Sequence, residues 1–131
     1  IWVFKKRKSE LSREQKKWNK MWDLWAENRA DTPYAEVMTY QSEVNNGGHD
    51  QYFLNVEQTG DLQAEISILE NVLSEELRSN LLTAYDAYQM LADKESDEEW
   101  EAILERCDDV FFKNEEEINR ILKAYAAKIE L

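Results

Sequence analysis

Apolar residues recur at steps of three and four through most of the chain, with polar residues filling the positions between them. Trp18, Met21, Trp22 and Trp25 form one such stripe; Val37, Tyr40 and Val44 form a second; Leu62, Ile66, Leu69 and Leu73 form a third. Leu77, Leu81, Leu82, Tyr85, Tyr88 and Leu91 make a fourth, and Trp100, Ile103, Leu104, Cys107 and Phe111 a fifth. This spacing gathers each set on one side of an α-helix. No segment shows the alternation of period two that marks a half-buried strand.

Start signals stand where the stripes begin. Ser12 with Gln15, Ser96 with Glu99, and Asn114 with Glu117 have capping-box spacing, and Ser74 is placed to cap the helix after it. Thr32 is a candidate cap ahead of Pro33, which fits the first helical position because its missing N–H has no intrahelical partner there. Only three glycines and one proline punctuate 131 residues. The chain is therefore expected to be all-α: residues 9–131 form one compact bundle of about six helices with short connections, and residues 1–8 form a basic tail.

The stretch Glu43–Asn55, EVNNGGHDQYFLN, holds two of the three glycines and the only histidine. Gly47 and Gly48 can take backbone angles that end a helix without a side-chain clash, which predicts a turn between a helix ending near Val44 and another beginning near Asp50. A phosphate cradle is excluded, because the lysine and Ser/Thr of a P-loop and the third glycine of a dinucleotide fingerprint are missing. His49 has no second histidine and no Cys/Asp/Glu set at ligand spacing, so no metal or other cofactor is expected. The alternative to a plain turn is a polar ligand pocket, or a cryptic hydrolytic site, built from Asn46, His49, Gln51 and Asn55.

Charge changes the picture further. The net charge is -12, but residues 1–20 carry eight Lys/Arg and two Asp/Glu, leaving eight Lys/Arg and 26 Asp/Glu beyond them. A body this acidic repels nucleic acid, which is bound by basic side chains, and favours basic proteins or cations. Trp residues among lysines in KKWNKMWDLW have the helical spacing of a core stripe, which argues against base stacking. Asp93, Glu95 and Asp97 occupy alternate positions as in a calcium loop, but Glu98 and Leu104 stand where an EF-hand needs Gly and Glu. Cys107 is alone and has the marks of a buried, inert thiol. At the N-terminus, Ile1–Phe4 followed by Lys5, Lys6, Arg7 and Lys8 reads as the cytoplasmic end of a membrane anchor or as an ordinary basic tail.

Asn46, Gly47, Gly48, Gln51, Tyr52, Phe53 and Asn55, preceded by Tyr40, Glu43 and Val44, resemble the Asn-Gly-Gly, Gln-aromatic-aromatic, Asn signature of the bacterial DNA-mimic-protein domain family. The resemblance runs from about Pro33 to Tyr125 and takes in ISILENVL and DDVFFKNEEEINRILKAYAAK. It implies an all-helical acidic domain, not an enzyme, that occupies the DNA-binding surface of a helix-turn-helix transcription factor and so relieves repression. The motif residues would be mainly structural, because surface carboxylates supply such mimicry.

One array of carboxylates meets that requirement. Glu98, Glu101, Glu105, Asp108 and Asp109 fall at steps of three and four, opposite the Trp100–Phe111 stripe. Neighbours in such a row are about 5–6 Å apart at Cβ, comparable to successive phosphates on one DNA strand, which advance by ~3.4 Å along the axis while winding around it. The expected partner is a basic protein, with a regulator of transcription first, a basic toxin neutralised by an immunity-type inhibitor second, and a second copy of the chain also considered. The setting expected is the cytoplasm, free or tethered to the inner face of the membrane through residues 1–8.

Overall fold

The computed structural model describes residues 11–93 and 97–131. The basic tail, the Ile1–Phe4 segment and the Ser96 cap lie outside the described residues. The rest is all-α, with six helices: α1 (Arg13–Ala26), α2 (Tyr34–Thr59), α3 (Leu62–Val72), α4 (Glu75–Asp93), α5 (Glu98–Lys113) and α6 (Glu115–Ala127). None is long and apolar enough to cross a membrane.

The apolar stripes become the core. Met21, Val37, Tyr40, Val44, Ile66, Leu69, Leu77, Leu81, Leu104, Phe111, Ile118 and Leu122 are all buried, with Trp18, Trp22 and Trp25 packed half-buried against them. Leu82 departs from its stripe and is exposed, while Ala84 and Ala87 take the buried side of α4 together with Asn80. The small residues leave room for α5, which packs along α4. Asn80 donates to the Cys107 carbonyl at 2.8 Å and Asn114 to Glu76 at 3.4 Å, so the two helices run antiparallel. Helix α2 is the centre of the bundle and touches α3, α4, α5 and α6.

Local chemistry sets most of the ends. Ser12 accepts from the Gln15 N–H at 3.0 Å, Asp61 from Ala64 at 3.1 Å, and Ser74 from Leu77 at 3.3 Å. Two ends, at Pro33 and Asn114, differ from the sequence expectation. Pro33 occupies the cap position of α2 rather than its first turn, and the Thr32 hydroxyl donates to Glu36 instead of capping the backbone. Asp97 caps α5 by accepting from Glu99. Asn114 ends α5 and begins α6 at once; its amide donates back to Val110, and Glu117 accepts from the distant Ser74 N–H, so no capping box forms.

The C-terminal helix is tied to the α1–α2 connection. Tyr34 and Tyr125 stack with centroids 4.3 Å apart, and the Tyr125 hydroxyl accepts from the Asp31 N–H at 2.9 Å. These contacts close the bundle across residues far apart in sequence.

Candidate functional site

The glycine pair lies within α2 rather than in a separate loop. Helical geometry fails at two residues only, Gly47 (φ -156°, ψ 20°) and Gly48 (φ 78°, ψ -179°), and resumes at His49. The bend is sharp. Asn55 donates to the Glu43 carboxylate at 2.5 Å, although twelve residues of unbroken helix would rise ~18 Å. The Gln51 amide donates to the same oxygen at 3.2 Å, so Glu43 staples the two halves of α2 from one side.

On the core side, the bend brings Tyr40 and His49 together. The Tyr40 hydroxyl lies 2.6 Å from His49 Nε2, and His49 Nδ1 lies 2.7 Å from Oδ1 of Asp108 on α5. The same Asp108 oxygen accepts the His49 backbone N–H at 2.8 Å. That N–H belongs to the first turn of the restarted helix, where no intrahelical carbonyl can receive it. Asp108 therefore acts as a cap supplied by another helix, favoured by the positive end of the helix dipole.

The protons in this relay can be placed. Burial above all, with the charges of Cys107 and Asp108 adding to it, holds the Tyr40 phenol well above its ordinary value, so it keeps its proton and donates to Nε2. The remaining N–H, on Nδ1, then faces the carboxylate. The row of tyrosine, imidazole and carboxylate has the form of an acid–base relay, but Tyr40 and His49 are completely buried. The bonds tie the restarted half of α2 to α5.

Gly48 is required twice over. Its positive φ is strained for any residue with a side chain, and a Cβ there would sit 2.5 Å from Asp108 Oδ2. A Cβ on Gly47 would meet the Gln51 side chain that Glu43 holds in place. Of the other motif residues, Tyr52 and Phe53 are core and Asn46 is exposed. His49 is buried, while Gln51 and Asn55 converge on Glu43.

The acidic row lies on α5. Glu98, Glu101, Glu105 and Asp109 are exposed, whereas the Asp108 side chain is only 25% exposed and bends inward to His49. Phe112, 46% exposed, falls seven residues after Glu105 and four after Asp108, on the same face of the helix. Among the described residues the only ion pair between a lysine or arginine and a carboxylate is Arg29–Glu27, so no described lysine or arginine is paired with the row. No group of three metal-ligating side chains occurs among them.

Comparison with protein families decides the relationship. The family model for DMP19-like proteins matches residues 28–129, which include the glycine break, the relay and the whole of α5. The chain belongs to the DMP19-like family. This is the DNA-mimic family that the Asn46–Asn55 motif resembles. In this DMP19-like chain the motif is the apparatus of a bent helix: glycines at the bend, buried aromatics beyond it, and amides that staple it. Comparisons with curated proteins and with solved structures give no significant match.

Sequence reading missed the Tyr40–His49–Asp108 relay, because 59 residues separate His49 from Asp108 and no local pattern connects them. It also passed over Phe112, which the helical spacing of the acidic row could have found.

Proposed function

We propose that the chain is a non-enzymatic protein-binding module that acts as a DNA mimic, its α5 face occupying the DNA-binding surface of a basic transcription regulator. The observation that carries the reading is the exposed row Glu98, Glu101, Glu105 and Asp109, with no described lysine or arginine paired to it. Family membership agrees with a protein-binding role of this kind. Asp108 contributes less charge to a partner than its neighbours, since His49 engages its carboxylate. Phe112 offers an apolar contact amid the charges, of the sort a recognition helix makes with a thymine methyl in the major groove.

Such a partner is met in the cytoplasm. Its association is driven by charge, so it weakens as salt screens the row.

The test is a pull-down from the native host's lysate at low salt, with wild type, a Glu98→Gln/Glu101→Gln/Glu105→Gln variant and Phe112→Ala. The reading expects a basic DNA-binding protein held by wild type, displaced by duplex DNA, lost by the triple variant and weakened by Phe112→Ala. Capture that DNA does not displace would point to a basic partner of another kind, such as a toxin. Equal capture by wild type and triple variant would remove α5 as the binding face.

A further inference from the structure

Helix α1 carries a basic stripe as regular as the acidic row of α5. Arg13, Lys16, Lys17 and Lys20 recur at steps of three and four, which places them on one side of the helix, turned away from the side on which Trp18, Met21 and Trp25 meet the core. None of the four is buried, and no described carboxylate pairs with any of them. Past Lys20 the same side turns acidic, at Asp23 and Glu27, and Glu27 is paired with Arg29.

This pattern works against the helix that bears it. Four cations crowd the end where the helix dipole is positive, while the last turn holds none. Like charges three and four positions apart also repel one another. A stripe that costs the helix stability, and that no described carboxylate compensates, has its use outside the fold.

The stripe borders a hollow between α1 and α6, a space of about 830 Å³ lined by Arg13, Lys17, Trp18, Lys123 and Ala126, with Glu14 the one acidic residue in its described lining. Lys17 spans it to donate to the Ala127 carbonyl at 2.9 Å, and Lys123 is exposed. Leu11, next in sequence to the Ser12 cap that also lines the hollow, is 47% exposed.

We propose that this α1–α6 face docks on an anionic phospholipid surface, with lipid phosphates against Arg13, Lys16, Lys20 and Lys123 and Leu11 entering the headgroup region. An anionic leaflet attracts Lys and Arg clustered close to it, and cations beside an exposed leucine suit a surface that offers phosphate and acyl chain together. A nucleic-acid duplex would meet the charges but give Leu11 no place. Lys5, Lys6, Arg7 and Lys8, directly ahead of α1 in the sequence, add charge of the same sign. The acidic body does not forbid the contact, because charges beyond the Debye length of ~8 Å at physiological salt are largely screened. Helix α1 packs chiefly against α6, and α5 chiefly along α4, so the two charged faces belong to different helix pairs. The proposal uses none of the α5 residues, and either can fail without the other.

The experiment is cosedimentation of the full chain with vesicles of mixed phosphatidylglycerol and phosphatidylcholine, and with phosphatidylcholine alone, at low salt. Binding is expected to the anionic vesicles only, reversed by added salt, weakened on the order of 100-fold in Arg13→Gln/Lys16→Gln/Lys20→Gln and unchanged in Glu98→Gln/Glu101→Gln/Glu105→Gln. The first variant keeps Lys17 and its bond to Ala127, and its circular dichroism should match that of wild type. A lipid with a spin-labelled headgroup should broaden the backbone amide signals of Arg13–Lys20 and spare those of Glu98–Asp109. Failure to bind anionic vesicles, or equal binding to phosphatidylcholine, would overturn the proposal. So would undiminished binding by the folded α1 variant together with loss in Lys5→Gln/Lys6→Gln/Arg7→Gln/Lys8→Gln, which would assign the membrane contact to the tail alone. Tighter binding of duplex DNA than of anionic vesicles at the same salt would replace lipid with another polyanion.

Discussion

His49 and Asp108 are joined twice through a single oxygen: Asp108 Oδ1 accepts the His49 backbone N–H at 2.8 Å and its imidazole Nδ1–H at 2.7 Å. The first bond caps the restarted half of α2, and the second fixes the ring that Tyr40 meets from the other side. The acidic helix is thereby locked to the central one. One of its carboxylates turns from the surface to the core in doing so.

Gly48→Ala is expected to destabilise the fold by about 2–4 kcal/mol, the sum of a left-handed backbone angle and a Cβ forced against Asp108. Gly60→Ala serves as the control, since its backbone is extended and its nearest neighbour would be 3.8 Å away. It should change stability by less than about 1 kcal/mol. Urea midpoints at constant m decide between them, and similar losses at both positions would refute the account of the bend.

Tyr40→Phe keeps the aromatic packing but leaves His49 Nε2 buried without a partner. The expected cost is about 1–3 kcal/mol. Because Tyr40, His49 and Asp108 form one connected chain, combining Tyr40→Phe with Asp108→Asn should depart from additivity by more than about 0.5 kcal/mol. A double-mutant cycle in urea measures this, and simple additivity would mean the relay is two independent bonds.

Alkaline pH should weaken the fold in a definite window. Burial, with the Asp108 charge adding to it, raises the Cys107 thiol to about 11, while an unfolded cysteine ionises near ~8.5. The folded chain thus holds this proton more tightly than the unfolded one. The thiol's contribution is complete below ~8.5 and falls away as pH rises toward 11. Cys107→Ala should lose its stability deficit relative to wild type across that range, measured as unfolding free energy at successive pH values. A deficit independent of pH would show that ionisation of the thiol is not involved. In native protein at pH 8 the thiol should also react slowly with iodoacetamide and rapidly once urea is added.

Much of this was legible from local pattern. Stripes such as Leu62–Leu73 and Val37–Val44 repeat at the helical period, and a side chain's position on a helix follows from its number alone. The caps at Ser12 and Ser74 involve contacts three residues apart, within reach of sequence. Asn114 was misread because it serves two helices, and its amide went to the α5 carbonyl that the sequence assigned no need. Leu82 was misread because the buried side of α4 is chosen by the approach of α5, which small residues at Ala84 and Ala87 permit.

By itself the sequence determined an all-α chain, the place of the glycine bend, the acidic row on α5 and membership of a recognisable family, because all of these rest on residue type and on spacings within a few turns. Only the tertiary structure decided that the bend folds α2 back far enough for Glu43 to reach Asn55 and Tyr40 to reach His49. It also decided that Asp108 leaves the acidic row to cap His49, and that the basic stripe of α1 shares a hollow with Lys123 of α6. These pairings depend on how helices distant in sequence pack, and packing is set by the whole core at once rather than by any one segment.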